Sequence, residues 1–182
     1  MLNIDGVKDK FPLYFNGMVL RLFAENNITD DYISWLNDPE TVKYSNQRFV
    51  VHSKESSLEY YKSFENTSNL FISIDDEVSG DSIGTMTVYM YSMHGTAEVG
   101  ILIGNKEYLN KGAGKNSWYC LISFLVATVG LRKIFAGTLS CNLPMIKIIE
   151  GSGMKEDGVF SLHEIVDGKY YDVINYAIYK DK

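Results

Sequence analysis

The sequence predicts a single α+β domain built on a mixed, mostly antiparallel sheet flanked by helices. Three observations carry this. Strand-like runs at Leu70–Ile74, Ser82–Tyr91 and Thr96–Ile103 follow one another across short turn segments, the pattern of an antiparallel meander. A long helical pattern, Gly112–Thr128, comes next and carries Trp118, Leu121, Ile122, Leu125 and Val129 on one side. The strand, helix and hairpin after it run on without a linker, low-complexity segment or repeat. All 182 residues therefore fit one unit, with its core at about residues 17–180.

Taken in order, Gly17 precedes a first strand, Met18–Phe23. Asp30 and Asp31 are helix-start signals for a short helix with Ile33, Trp35 and Leu36. Asn37-Asp38-Pro39 ends that helix and is expected to restart another, because Pro suits a first helical turn. Ser53, Ser56-Ser57 and the Leu58/Tyr61/Phe64 spacing mark a helix ending near Asn66-Thr67. Beyond the meander and long helix, Gly130 is a stop signal and Lys133–Leu139 reads as a strand. Asn142 caps a helix over Asn142–Ile149, with Pro144 in its first turn and Gly151-Ser152-Gly153 closing it. Gly158–Glu164 and Tyr170–Tyr179 form a last hairpin around Asp167-Gly168.

Lys+Arg 17 against Asp+Glu 23 gives a net charge of −6, the wrong sign for a mainly electrostatic nucleic-acid binder. No run approaches the roughly 18 apolar residues of a membrane span. Residues 1–10, with Asp5, Lys8, Asp9 and Lys10, lack the apolar core of a signal peptide. A cytoplasmic protein with neither nucleic-acid nor membrane partners is expected. Cys120 and Cys141 are then two reduced thiols, and His52, His94 and His163 lie too far apart in sequence to suggest a metal site.

Three constellations could carry chemistry. Asn110-Lys111-Gly112-Ala113-Gly114-Lys115 lies between a strand and the start of the long helix. Its glycines let several N–H groups approach one anion at the positive end of a helix. A P-loop is excluded, because Asn116 follows Lys115 where Ser or Thr is required and Leu109 occupies the first Gly position. A dinucleotide fingerprint is excluded because Ser117 stands where its third Gly belongs. The second constellation is Asn142 followed by Gly153-Met154, which alone is no more than a capped helix with a glycine stop. The third is Glu98, a strand carboxylate beside Val99, Ile101 and Ile103; it is either a desolvated general base or an ordinary solvent-facing residue.

Together these segments resemble the GNAT superfamily of acetyl-CoA-dependent acyltransferases, in particular its ribosomal-protein N-acetyltransferase-like (RimJ/RimL-type) branch, over about Gly17–Lys180. The family's Gln/Arg-x-x-Gly-x-Gly/Ala pyrophosphate motif stands here as Leu109-Asn-Lys-Gly112-Ala-Gly114, departing only at its first position. In the later Asn-x-x-Ser/Ala and Lys-x-Gly-Phe motif, Asn142 and Gly153 match, while Met145, Gly151 and Met154 replace the other residues. Trp35-Leu-Asn-Asp-Pro-Glu40 is similar to the branch's W-x-N-D-P-E stretch, and Asp167–Asp172 to its closing hairpin.

The resemblance implies acetyl-CoA as cosubstrate, held by Leu109, Asn110, Lys111, Gly112, Ala113, Gly114 and Lys115. It also implies backbone groups of Ile101, Leu102 and Ile103 beside the pantetheine arm, between splayed strands that end at Ile103 and run over Lys133–Leu139. Asn142 would contact the pantetheine or the acceptor side, and Glu98 falls where related enzymes carry a catalytic base. The tyrosine that protonates the departing thiolate in many relatives maps to Ile149, so that acid is missing; a CoA-binding module without catalysis is the alternative this leaves. The acceptor would be a small-molecule amine or a protein N-terminus, with amino-sugar nucleotides, antibiotics and polyamines all open. Tyr44–Arg48, Tyr89–His94 and Phe160–Tyr171 would choose among them, in a monomer or homodimer.

Overall fold

The computed structural model describes residues 6–180. Eight strands form one sheet: β1 (Leu13–Phe15), β2 (Met18–Leu22), β3 (Leu70–Asp76), β4 (Ser82–Tyr91), β5 (Thr96–Ile103), β6 (Lys133–Leu139), β7 (Lys155–Val166) and β8 (Lys169–Tyr179). Their order across the sheet is β1-β2-β3-β4-β5-β6-β8-β7, with only β5 and β6 parallel. The helices are α1 (Asp30–Asn37), α2 (Lys54–Lys62), α3 (Ala113–Ser123) and α4 (Leu143–Gly151). The mixed, mostly antiparallel sheet is thus the expected one, and no described helix is long and apolar enough to cross a membrane.

The two faces of the sheet bury different cores. On one, Val88, Ala97, Val99 and Ile134 pack with Trp118, Leu121, Leu125 and Ile149 of the α3/α4 layer. On the other, Phe23, Tyr32, Leu36, Phe64 and Phe71 form an aromatic cluster under α1 and α2. Phe23 stacks on Phe71 with ring centroids 4.0 Å apart. Strand alternation therefore assigns every residue of β4 and β5 to one layer or the other.

Three local departures have physical reasons. β1 was not expected: Asn16 (φ 44) and Gly17 (φ 73) make the two-residue hairpin turn that pairs Phe15 with Met18, and the Asn-Gly pair is the signal for it. No helix restarts at Asp38-Pro39. The Val42 N–H reaches the Asp38 carbonyl for one turn only, and Ser45 then caps a short 3-10 segment, Asn46–Phe49. The long helix is α-helical only to Ser123, then widens into π-helical turns over Phe124–Val129 before Gly130. The widening goes with burial of the consecutive Phe124 and Leu125, while the Leu125 carbonyl accepts the Leu131 N–H as the chain turns into β6.

Trp118 is fully buried between α3 and the sheet, and its Nε1–H donates to Ser152 Oγ at 3.2 Å. Trp118→Ala leaves a large cavity and removes the donor to Ser152 Oγ, which keeps its own bond to the Ile149 carbonyl at 2.6 Å. Urea denaturation is expected to report a stability loss of about 3–5 kcal/mol.

Candidate active site

β5 and β6 pair over three residues only: Thr96 with Lys133, Ala97 with Ile134 and Glu98 with Phe135. Beyond Glu98 and Phe135 the strands part. β5 keeps β4 on its far edge as far as Ile103, and β6 keeps β8 on its far edge as far as Leu139. In an antiparallel pair alternate residues aim N–H and C=O away from the partner, so every second residue of Val99–Ile103 presents both groups to the gap. Ile101, Leu102 and Ile103 lie on this open edge, as expected.

The N-terminus of α3 stands at the wide end of the gap. Asn110 (φ 60) and Gly112 (φ 87) turn the chain into it, and Asn116 N–H to Gly112 C=O, 2.9 Å, is its first bond. The N–H groups of Gly112, Ala113, Gly114 and Lys115 have no partner among the described residues. Ala113 is buried in the core and fixes the turn, while Leu109, Asn110, Lys111 and Lys115 are exposed around it. Four convergent donors, a helix dipole and the flanking Lys111 and Lys115 suit a pyrophosphate.

The two glycines of the motif differ. Only Gly112 needs the left-handed region, whereas Gly114 lies inside α3. A Cβ there would stand 3.4 Å from Ile103 Cγ1 and 3.6 Å from Ile148 Cδ1, so Gly114 governs how closely α3 approaches β5 and α4.

Asn142 lies three residues past β6 and caps α4, its Oδ1 accepting the Met145 N–H at 3.3 Å. Ile149 is fully buried in the α3/α4 core. An aliphatic side chain there has no proton to give. Cys120 and Cys141 are free thiols, and burial pushes both above the usual thiol range. Such thiols stay protonated and are weak nucleophiles.

Glu98 occupies the apex where β5 and β6 part, opposite Tyr89 of β4 and Phe135 of β6. It shares a face with Gly100 and Leu102, whereas Val99, Ile101 and Ile103 turn towards α3. The aliphatic neighbours therefore do not enclose the carboxylate. Glu98 is half-buried, with no hydrogen bond or ion pair among the described residues.

On that same face lies a cavity of ≈ 330 Å³, floored by Thr85, Thr87 and Gly100 and roofed by α1, α2 and the segment around Ser45–His52. Side chains of the Trp35–Glu40 stretch hold the roof. Asn37 Oδ1 accepts the His52 N–H at 2.8 Å and its Nδ2–H donates to the His52 carbonyl at 2.9 Å. Trp35 lies against Gly104, where a Cβ would overlap the indole. Asp38 accepts from Thr41 at 2.6 Å and meets Lys106 at 2.8 Å; these contacts hold its carboxyl down to about 2. The W-x-N-D-P-E stretch thus ties α1 to the roof and to the end of β5.

Of the expected acceptor segments, the first and third meet. Arg48 donates to Glu164 at 3.2 Å and to the Ile165 carbonyl at 3.1 Å, and Lys43 meets Asp167 at 3.6 Å. From the second, Tyr89 turns into the cleft layer and shares a 2.7 Å hydrogen bond with the Tyr60 hydroxyl of α2. Met93 and His94 remain on an exposed turn. No group of three or more His, Cys, Asp or Glu suited to a metal occurs among the described residues.

Comparison with known proteins agrees with this geometry. Residues 18–155 match the acetyltransferase (GNAT) domain model. A Bacillus licheniformis relative named uncharacterized N-acetyltransferase p20 is 27% identical over 173 residues, 92% of this chain and 96% of the relative. Among solved structures, spermidine N-acetyltransferase from Vibrio cholerae in complex with CoA and spermine superposes with a TM-score of 0.81 at 19% identity, covering 90% of this chain and 96% of the other. A GNAT-family acetyltransferase from Bacillus anthracis gives 0.80 at 18%, covering 94% of this chain and 100% of the other. With a family model spanning most of its length and the splayed strands in place, the chain belongs to the GNAT acetyltransferase family, acyltransferases that use acetyl-CoA.

Proposed function

We propose that this protein moves an acetyl group from acetyl-CoA to a primary amine by direct attack, with the cofactor entering the β5/β6 gap from the α3/α4 side and the amine meeting it beside Glu98. The parting of β5 and β6 immediately after Glu98 and Phe135 carries the reading, because it puts an open backbone edge and the one carboxylate of β5 at a single point. The N–H groups of Gly112–Lys115 bind the pyrophosphate, with Leu109, Asn110 and Lys111 around it. Backbone groups of Ile101, Leu102 and Ile103 pair with the pantetheine arm, and an N–H on that edge polarises the acyl carbonyl, a large term in acyl transfer. Acetyl-CoA supplies an activated thioester whose thiol, with a pKa of about 8.5, is a tolerable leaving group without a dedicated acid. Asn142, as the α4 cap, shapes the far wall of the gap near Leu139.

Glu98 takes the proton that an ammonium must lose before its nitrogen can attack, directly or through one water. Neither cysteine takes part, since direct attack needs no acyl-enzyme. The acceptor is a small-molecule amine or a protein N-terminus, approaching from the face that carries the Ser45–His52 roof.

Thiol release from acetyl-CoA across a panel of amines tests the activity; tight CoA binding with no turnover on any of them would return the protein to a binding module. Gly112→Val forces a β-branched residue into a left-handed position and obstructs the anion cradle. Calorimetry is expected to show CoA affinity falling on the order of tenfold or more in the folded variant; unchanged affinity removes the cradle from the mechanism.

Glu98→Gln is expected to lower kcat by roughly 10²–10⁴-fold with CoA affinity little changed. The deficit should shrink as pH rises towards the pKa of the amine, where free amine is abundant. Identical pH–rate profiles in the two proteins would leave Glu98 without a proton-transfer role. Cys120→Ala and Cys141→Ala should each retain turnover; an acetylated cysteine isolated from the wild type would contradict direct attack.

A further inference from the structure

We infer that Gly137 opens the β6 side of the gap to acyl chains longer than acetyl, so that the protein also transfers short uncharged aliphatic acyl groups, propionyl among them, from their CoA thioesters. This rests on the reading that the thioester lies in the β5/β6 gap with its carbonyl towards β5. The two strands last pair at Glu98 and Phe135, and two residues further on each carries a glycine, Gly100 and Gly137. Strand alternation puts both glycines on the face that carries Glu98 and Phe135. A glycine inside a strand is unfavourable unless a bulge, a tight bend or a close approach requires it. At Gly137 the ladder to β8 runs unbroken from Lys133 to Leu139, and its φ is not in the left-handed region. A Cβ there would stand 3.2 Å from Asn175 Oδ1 and 3.4 Å from Val173 Cγ1. The nearer atom is the end of a side chain that can turn aside, unlike the Leu102 backbone carbonyl that a Cβ at Gly84 would overlap. Neither backbone conformation nor packing therefore demands glycine, and Gly137 is exposed while Ala136 and Thr138 beside it are buried. The remaining reason is a ligand that passes close to the strand.

The geometry of a thioester says which part of the ligand that is. Its carbonyl carbon has three coplanar substituents. With the oxygen on an N–H of β5 and the sulfur lying back along the gap, the acyl chain leaves on the side of β6. The amine then attacks along the normal to the sheet, from the face on which Glu98 stands. The N–C bond forms, the C–S bond breaks, the amine's proton goes to Glu98 and the thiolate departs with CoA. These changes are the same for any saturated acyl group, so the room on the β6 side sets the chain length. Phe135 bounds that side towards the narrow end and Leu139 towards the wide end, with bare backbone at Gly137 between them.

Beside Gly137 lies a hollow of ≈ 500 Å³ whose lining includes Tyr91, Phe135, Phe160 and Asn175. Tyr91 stacks on Phe135 with ring centroids 6.0 Å apart, which fixes the aromatic wall. Asn175, opposite Gly137 on β8, is half-buried. The charged groups of the hollow are already engaged. Lys133 meets Asp157 at 2.5 Å and lies over the Phe135 ring, Tyr179 donates to Asp157 at 2.7 Å, and Arg132 Nε–H donates to the His94 carbonyl at 2.6 Å. A carboxylate at the end of an acyl chain would meet Asp157 together with Lys133 and lose its hydration for little return. A saturated chain instead lies against Val173 and the aromatic wall, where burial is favourable.

The test compares acetyl-, propionyl- and succinyl-CoA as donors to one amine that the wild type acetylates, in wild type and Gly137→Ala. An added methylene is worth roughly 10–200-fold in a pocket that does not fit it, so wild-type kcat/KM for propionyl-CoA should stay within about tenfold of that for acetyl-CoA. Gly137→Ala places its Cβ where the added methylene would lie, and should lower the ratio of propionyl to acetyl transfer about tenfold. Should that variant not fold, Asn175→Phe narrows the hollow from β8 and should lower the same ratio. A larger wild-type deficit for propionyl-CoA, succinyl-CoA used as well as propionyl-CoA, or a ratio unmoved in the folded variant overturns the inference, while the acetyltransferase reading stands. Should no donor turn over with any amine, that reading fails, and calorimetry with acetyl- and propionyl-CoA decides the β6 side separately. Wild-type Kd values within about threefold of each other that part by about tenfold in the variant sustain the inference. Any other pattern overturns it.

Discussion

The structure turns on the pairing that β5 and β6 do not make. Two neighbouring strands of a sheet ordinarily saturate each other's backbone groups along their whole length, and a buried group left unmet costs roughly 1–3 kcal/mol. Here the ladder stops after three residue pairs, and the open edges run on to Ile103 and Leu139. Such an interruption persists only where each strand is held by its other neighbour and by packing on both faces. β4 and β8 hold the far edges, the aliphatic core packs on one face of both strands, and the aromatic cluster meets the other face of β5 at Leu102.

Two chemically different surfaces meet at that opening. The α3/α4 side presents unpaired N–H groups at a helix start, together with Lys111 and Lys115, on a chain whose net charge is −6. The α1/α2 side presents a cavity lined by hydroxyls, aromatic rings and His52, with no Asp, Glu, Lys or Arg from the described residues. Glu98 sits where the two surfaces join. In the proposed reaction this separation keeps the acyl carrier and the acceptor on opposite faces of the sheet until their reactive ends meet.

The cavity exists because its roof is tethered at several points. Asn37 holds both backbone groups of His52, Trp35 packs on Gly104, Asp38 engages Lys106, and Arg48 reaches across to the end of β7. Most of these contacts are polar and partly exposed, whereas Trp118 and its neighbours are fully buried. The roof is therefore the less costly element to open, in keeping with an acceptor that must enter and leave.

Local chemistry made much of this legible from the sequence. Period-two runs delimited β4, β5 and β6 to the residue, Asn142 and Gly130 marked helix ends, and the Gly112 turn identified the donor cluster. These depend on side chains and backbone angles within a few residues of one another. The β1 hairpin was equally legible, since Asn16-Gly17 favours its turn, but its strand is too short to declare itself by period. What tertiary structure alone decided are relations between distant segments: where β5 leaves β6, which face Glu98 shares with Gly100, and that Ile149 is core rather than cleft. The same holds for Ser57, an unremarkable helix serine in the sequence, whose hydroxyl is buried with no partner among the described residues once α2 packs onto the sheet. Hydrogen-bond satisfaction is a property of the assembled environment, and no pattern of residue types along one chain segment encodes it.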